Sequence, residues 1–114
     1  MTDAQPTVDL GPSWLSNTLA DAVVVDREIS ECTVTALFDG YFSYRARGRR
    51  RRDYMDVGLV AEGERPLVAP GARFWLVSER LRGRPGGVHS ALAFRRPGVS
   101  TAEQAFAART GADR

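Results

Sequence analysis

The sequence predicts a mainly β protein, a small five-stranded antiparallel meander curled into a barrel of SH3-like or OB-like type, with a short N-terminal helix and a short C-terminal helix. Three observations point there. Short segments rich in β-branched and aromatic residues recur through residues 29–96, each bounded by glycine- or proline-containing turns. Asp39-Gly40 separates two of them, and Asp-Gly between apolar runs favours the tight turn of a hairpin, where positive φ is required. The 114 residues suffice for a single hydrophobic core, and closing the sheet on itself would remove exposed strand edges.

Residues 1–12 contain Pro6, Gly11 and Pro12 with few apolar anchors, so they are read as a flexible N-terminal segment preceding a single domain over 13–114. Within residues 12–25, Trp14, Leu15, Thr18, Leu19 and Ala22 fall on one side of a 3.6-residue period, which predicts the first helix. Its apolar side covers one end of the core, or presents Trp14 as an anchor for a partner. Residues 29–38 form the first strand and residues 41–47 the second, turning at Gly48. A third strand is expected over 51–60, with Met55, Val57 and Leu59 alternating along one face. Pro66 and Pro70-Gly71 punctuate a connection.

A fourth strand over 72–81 and a fifth over 87–96 follow, joined by a turn-rich segment. In the fifth, Val88, Ser90, Leu92 and Phe94 take one face, and His89, Ala91, Ala93 and Arg95 the other. Ser100 and Glu103 have capping-box spacing, predicting a helix over 101–109 that stops near Gly111. Phe106 is its single large apolar contact, which places that helix on the barrel surface.

Apolar content of 43% and charged content of 26% are ordinary for a folded protein. No apolar run approaches the ~20 residues of a membrane-spanning helix. The opening residues are acidic and lack a basic stretch followed by an apolar one. An intracellular, cytoplasmic chain without membrane association is therefore expected. Cys32 is the sole cysteine, which excludes an internal disulfide and a thiolate-rich metal site.

All sixteen basic residues are arginine, and six of them fall within residues 45–52. Residues 1–44 carry seven acids against Arg27, a net of −6, whereas residues 45–96 carry thirteen arginines against five acids, a net of +8. Such polarity points to an anionic partner for the basic half or to pairing between the halves.

Register decides what the arginine run presents. Setting Phe42 opposite Met55, Gly40 opposite Val57 and Phe38 opposite Leu59 keeps apolar side chains together on one face. The other face then carries Tyr41 with Asp56, Ser43 with Tyr54 and Arg45 with Arg52, leading to a cationic tip. Aromatic rings among guanidinium groups suit nucleic acid, with bases stacked on rings and arginines following phosphates. The expected contact set for RNA or single-stranded DNA is Tyr41, Arg45, Arg47, Arg49, Arg50, Arg51, Arg52 and Tyr54. Arg80, Arg82 and Arg84, with Arg95 and Arg96, form a secondary basic patch. Asp53, Asp56, Glu62 and Glu64 are the acids available to offset the run from within.

The alternative is a protein-interaction subunit (an adaptor, or an immunity-type or anti-host accessory factor). It would dock on an acidic partner through the same hairpin and the Trp14 region, and self-association of the acidic half with the basic half is a variant. Oligomeric state is not legible in the sequence. His89 and Cys32 lack the companions of a catalytic site, and the acids are unaccompanied by a phosphate-binding loop, metal-ligand cluster or nucleophile elbow. A non-catalytic protein without cofactor or metal is expected, with Trp75 and Cys32 in its core.

Overall fold

The computed structural model describes residues 10–11, 13–15, 23–82 and 88–112. The strands are β1 (Val24–Leu37), β2 (Tyr41–Ala46), β3 (Asp53–Asp56), β4 (Arg73–Leu81) and β5 (Val88–Phe94), followed by helix α1 (Ala102–Ala112). They build one antiparallel sheet in the order β3-β2-β1-β4-β5. The expected meander is corrected here, because β4 returns beside β1 rather than beside β3. The reason lies in β1, whose 14 residues outrun the six of β2. Its other edge receives β4 along a ladder from Val24–Leu81 to Thr33–Arg73.

The sheet is strongly curled. Phe42 on β2 and Phe94 on β5 lie three strands apart, about 14 Å in a flat sheet, yet their ring centroids are 6.4 Å apart. Phe74 meets both, at 5.9 and 5.0 Å. The concave face buries Cys32, Val34, Phe42, Tyr44, Phe74, Leu92 and Phe94, closed over by Val60 and Val68. Each lies at alternate positions of its strand, as one-sided burial requires.

The curl stops at a half-barrel, so the closed barrel is also corrected: β3 and β5 are both edge strands. The third strand ends at Asp56 instead of reaching residue 60. The Asp56 carboxylate accepts the Gly58 amide at 2.7 Å and caps a 3-10 turn over Val57–Leu59. A second 3-10 helix, Glu62–Leu67, follows. Glu64 within it is 4% exposed, and its Oε1 accepts the Phe94 amide at 3.0 Å. A side chain thus meets the edge of β5 where a closing strand would pair.

On the convex face, Trp75, Val77 and Ala93 pack against Ala102, Ala105 and Phe106 of α1, with Trp14 and Leu15 alongside. Phe106 is buried, not a surface contact of a loosely attached helix. The cap is also shifted by one residue. Thr101 Oγ1 accepts the Gln104 amide at 3.1 Å, while Gln104 Oε1 accepts from Ser100 N and Ser100 Oγ. Gln104, three residues after Thr101, performs the part expected of Glu103.

Of the expected N-terminal helix, the described residues show none. Val24 and Val25 belong to β1, where three consecutive valines favour strand. Ser13–Leu15 form a bend in which Ser13 Oγ accepts the Leu15 amide at 3.0 Å, a local bond that competes with helix. Residues 16–22 of that expected helix lie outside the described residues. Of the expected flexible segment, only Leu10 and Gly11 are described, and both exchange backbone hydrogen bonds with Val24.

Candidate nucleic-acid interface

The half of the convex face that α1 leaves open belongs to β1, β2 and β3. Its first component is the hairpin at Asp39-Gly40. Gly40 has φ of +83°, a value costly for residues with a Cβ. The turn closes with Phe38 N donating to the Tyr41 carbonyl at 2.8 Å. This brings the Phe38 and Tyr41 rings into a stack, centroids 4.8 Å apart and planes at 19°. Tyr54 extends the row, 6.1 Å from Tyr41. All three rings are open to solvent, at 43%, 43% and 63% exposure for Phe38, Tyr41 and Tyr54.

The β2–β3 register is the expected one, pairing Tyr41 with Asp56, Phe42 with Met55, Ser43 with Tyr54 and Tyr44 with Asp53. Phe38 departs from expectation. It does not face Leu59 across a ladder, because β3 has already ended, and it joins the aromatic row instead. The signal in the sequence was Phe-Asp-Gly-Tyr itself, which sets two rings on either side of a tight turn. A bulge between Val34 and Ala36 lets Thr35 reach the buried Ser43, hydroxyl to hydroxyl at 2.6 Å. The polar floor beneath the rings is satisfied internally.

The second component is the arginine run. The ladder stops at Tyr44–Asp53, before Arg45 and Arg52 come opposite each other, as like charges across a sheet should. Gly48, with φ of +81°, and the bond from Arg49 N to the Ala46 carbonyl at 3.0 Å turn the chain. Arg45, Arg49, Arg50, Arg51 and Arg52 are exposed, and none pairs with a carboxylate among the described residues. Arg47 is the exception, with Nη1 3.0 Å from Glu31 Oε2.

Of the acids expected to offset the run, Asp53 and Glu62 form no ion pair among the described residues, and the other two are engaged elsewhere. Asp56 caps the 3-10 turn, and Glu64 holds Phe94 and lies 3.8 Å from Arg96. Glu31 was not among the candidates. It sits on the convex face because it pairs with Trp75 across the β1–β4 ladder.

Beside the run lies an open groove of about 590 Å³, lined by Glu31, Thr33, Arg45, Arg47, Arg49, Arg73 and Arg95 among others. The ladders explain the grouping. Thr33 has Arg45 on one side and Arg73 on the other, and Arg95 N donates to the Arg73 carbonyl at 2.9 Å. Arg95 also reaches Glu31 Oε1 at 2.8 Å with its guanidinium 5.0 Å over the Trp75 ring.

The secondary patch is divided. Arg95 joins the groove, whereas Arg80 lies seven residues along β4 from Arg73, about 23 Å away, paired with Asp26 at 3.0 Å. Arg82 is exposed beyond the end of β4, and Arg84 lies outside the described residues. Trp14 is half-buried, with the Arg27 guanidinium 3.8 Å over its ring. Its amide, the Ser13 hydroxyl and Arg27 Nε all donate to Glu79, at 3.0, 2.7 and 3.0 Å.

No protein-family model, no curated protein and no solved structure matches this chain. The site must therefore be judged on its own chemistry. Among the described residues, no group of three or more His, Cys, Asp or Glu is placed to hold a metal ion. Cys32 is buried, and burial with the nearby charge of Asp53 pushes its pKa up to about 11, which leaves a poor nucleophile at neutral pH. Burial, then Asp53 and then Cys32, raise the Tyr44 phenol in the same direction. His89 stands opposite Glu79 in the ladder, whose carboxylate is already taken.

Proposed function

We propose that this chain is a non-catalytic OB-like module that binds RNA or single-stranded DNA across the exposed convex face of β1, β2 and β3. The order β3-β2-β1-β4-β5 is that of an OB-type barrel opened between its third and fifth strands. Folds of that kind bind oligonucleotides on the face of strands two and three and on the adjoining loops. Fold analogy alone does not assign function; the side chains carry the reading. Three solvent-facing rings, Phe38, Tyr41 and Tyr54, lie at one end of β2, and five arginines that have no internal carboxylate among the described residues stand at or beyond its other end. Rings accept bases regardless of sequence, and guanidinium groups follow the phosphates. The protein-docking alternative leans on Trp14, whose ring is engaged with Arg27, so it draws less support.

The test is fluorescence anisotropy with labelled dodecathymidylate and dodecauridylate at low salt. Wild-type protein is expected to bind, and Tyr41→Ala with Tyr54→Ala to lose affinity roughly thirtyfold or more, since each stacked base is worth about 1–3 kcal/mol. Absence of binding to both oligonucleotides at low ionic strength sinks the proposal.

A further inference from the structure

Among the described residues, Glu31 is the one carboxylate lining the groove beside the arginine run, and its two oxygens are divided between two guanidinium groups, Oε2 to Arg47 and Oε1 to Arg95. These partners come from opposite sides of the sheet, Arg47 from the turn after β2 and Arg95 from the end of β5. Arg45, Arg49 and Arg73 line the same groove with no carboxylate partner among the described residues. Five cations and one anion therefore line one groove, which leaves it with an excess of positive charge.

We infer that this groove is a seat for a terminal phosphate, a phosphomonoester dianion, and that the Glu31 carboxylate occupies the place its oxygens would take. An internal phosphodiester carries a single negative charge and needs about one cation. A cradle of several arginines fits a group with two charges and three free oxygens, for which the planar guanidinium fork is suited. Thr33, flanked by Arg45 and Arg73 across the ladders, adds a hydroxyl donor at the floor. Displacing Glu31 is cheap because both of its ion pairs are solvent-exposed, and such pairs hold weakly.

The seat deepens the nucleic-acid reading: it marks where the end of a strand lies, at the opposite end of β2 from the aromatic row. It also stands without that reading, since a phosphate group is its whole requirement.

The experiment compares 5′-phosphorylated with 5′-hydroxyl dodecathymidylate, and adds inorganic pyrophosphate as a probe without bases, followed by NMR or calorimetric titration. The phosphorylated strand is expected to bind about tenfold tighter, in line with charge-assisted hydrogen bonds in an open site. Arg73→Ala with Arg95→Ala should abolish that preference while leaving the 5′-hydroxyl strand bound. Glu31→Gln should tighten binding of pyrophosphate and of the phosphorylated strand. If oligonucleotides bind with no preference for the 5′-phosphate and pyrophosphate does not bind, the seat is refuted while the convex-face reading survives. If pyrophosphate binds and Glu31→Gln tightens it while no oligonucleotide binds, the seat stands and the nucleic-acid reading fails.

Discussion

Replacing Arg49, Arg50, Arg51 and Arg52 together with alanine separates electrostatic binding from stacking. The four side chains are exposed and pair with no acid among the described residues, so their loss should change stability by only about 0.5 kcal/mol or less each. Five arginines of the hairpin are free to meet phosphates, the four above and Arg45. For a single strand each neutralised phosphate contributes about 0.7 to the fall of log affinity with log salt. The wild-type slope should therefore be near −3.5, an affinity loss of roughly a hundredfold between about 50 and 200 mM salt. With Arg45 alone remaining, the slope should flatten to about −0.7, a loss of roughly threefold over the same range. Anisotropy titrations at four or five salt concentrations give both slopes, with circular dichroism confirming that the variant is folded. The Tyr41→Ala, Tyr54→Ala protein should lose affinity at every salt concentration with its slope unchanged. A quadruple-arginine variant that keeps the wild-type slope would refute the assignment of phosphate contacts to this run.

Other outcomes test the framework that holds the site. Glu79→Ala deletes a buried carboxylate, 1% exposed, that receives three donors. The cost should be about 3 kcal/mol, a fall of roughly 10 °C in melting temperature, with changed Trp14 fluorescence; an unchanged melting curve would count against it. Gly40→Ala meets open space but keeps φ at +83°, so chemical denaturation should show a loss of about 1 kcal/mol. The pH dependence follows from Cys32. Its pKa is raised in the folded state from 9.0 to about 11, so the stability tied to its neutral thiol is full below pH 9 and is lost as pH rises toward 11. Cys32→Ser should flatten that part of the stability profile. Thiol reagents at pH 8 should label Cys32 only as fast as the protein unfolds.

Much of the hairpin was legible because local signals agreed. Asp39-Gly40 marked the turn, and Phe42 and Met55 can share the core in only one register. The alternation of β5 likewise put Leu92 and Phe94 inside. Strand order was not legible. β4 lies beside β1 because the valines at 24 and 25 extend that strand, although the periodicity of residues 12–25 resembles a helix. The groove was hidden for a similar reason. Arg73 and Glu31 are unremarkable in sequence, and only ladders joining β1, β2 and β4 bring them to Arg45 and Arg47.

The Glu64–Phe94 hydrogen bond has a consequence for how copies of the chain meet. An open half-barrel offers its outer amides to any extended segment that approaches, the first step by which sheets of separate molecules join into fibres. At β5 that invitation is withdrawn, because a carboxylate from the same chain already holds one of those amides and a short helical turn fills the approach. Removing the Glu64 side chain while leaving the core intact would convert a guarded margin into an adhesive one.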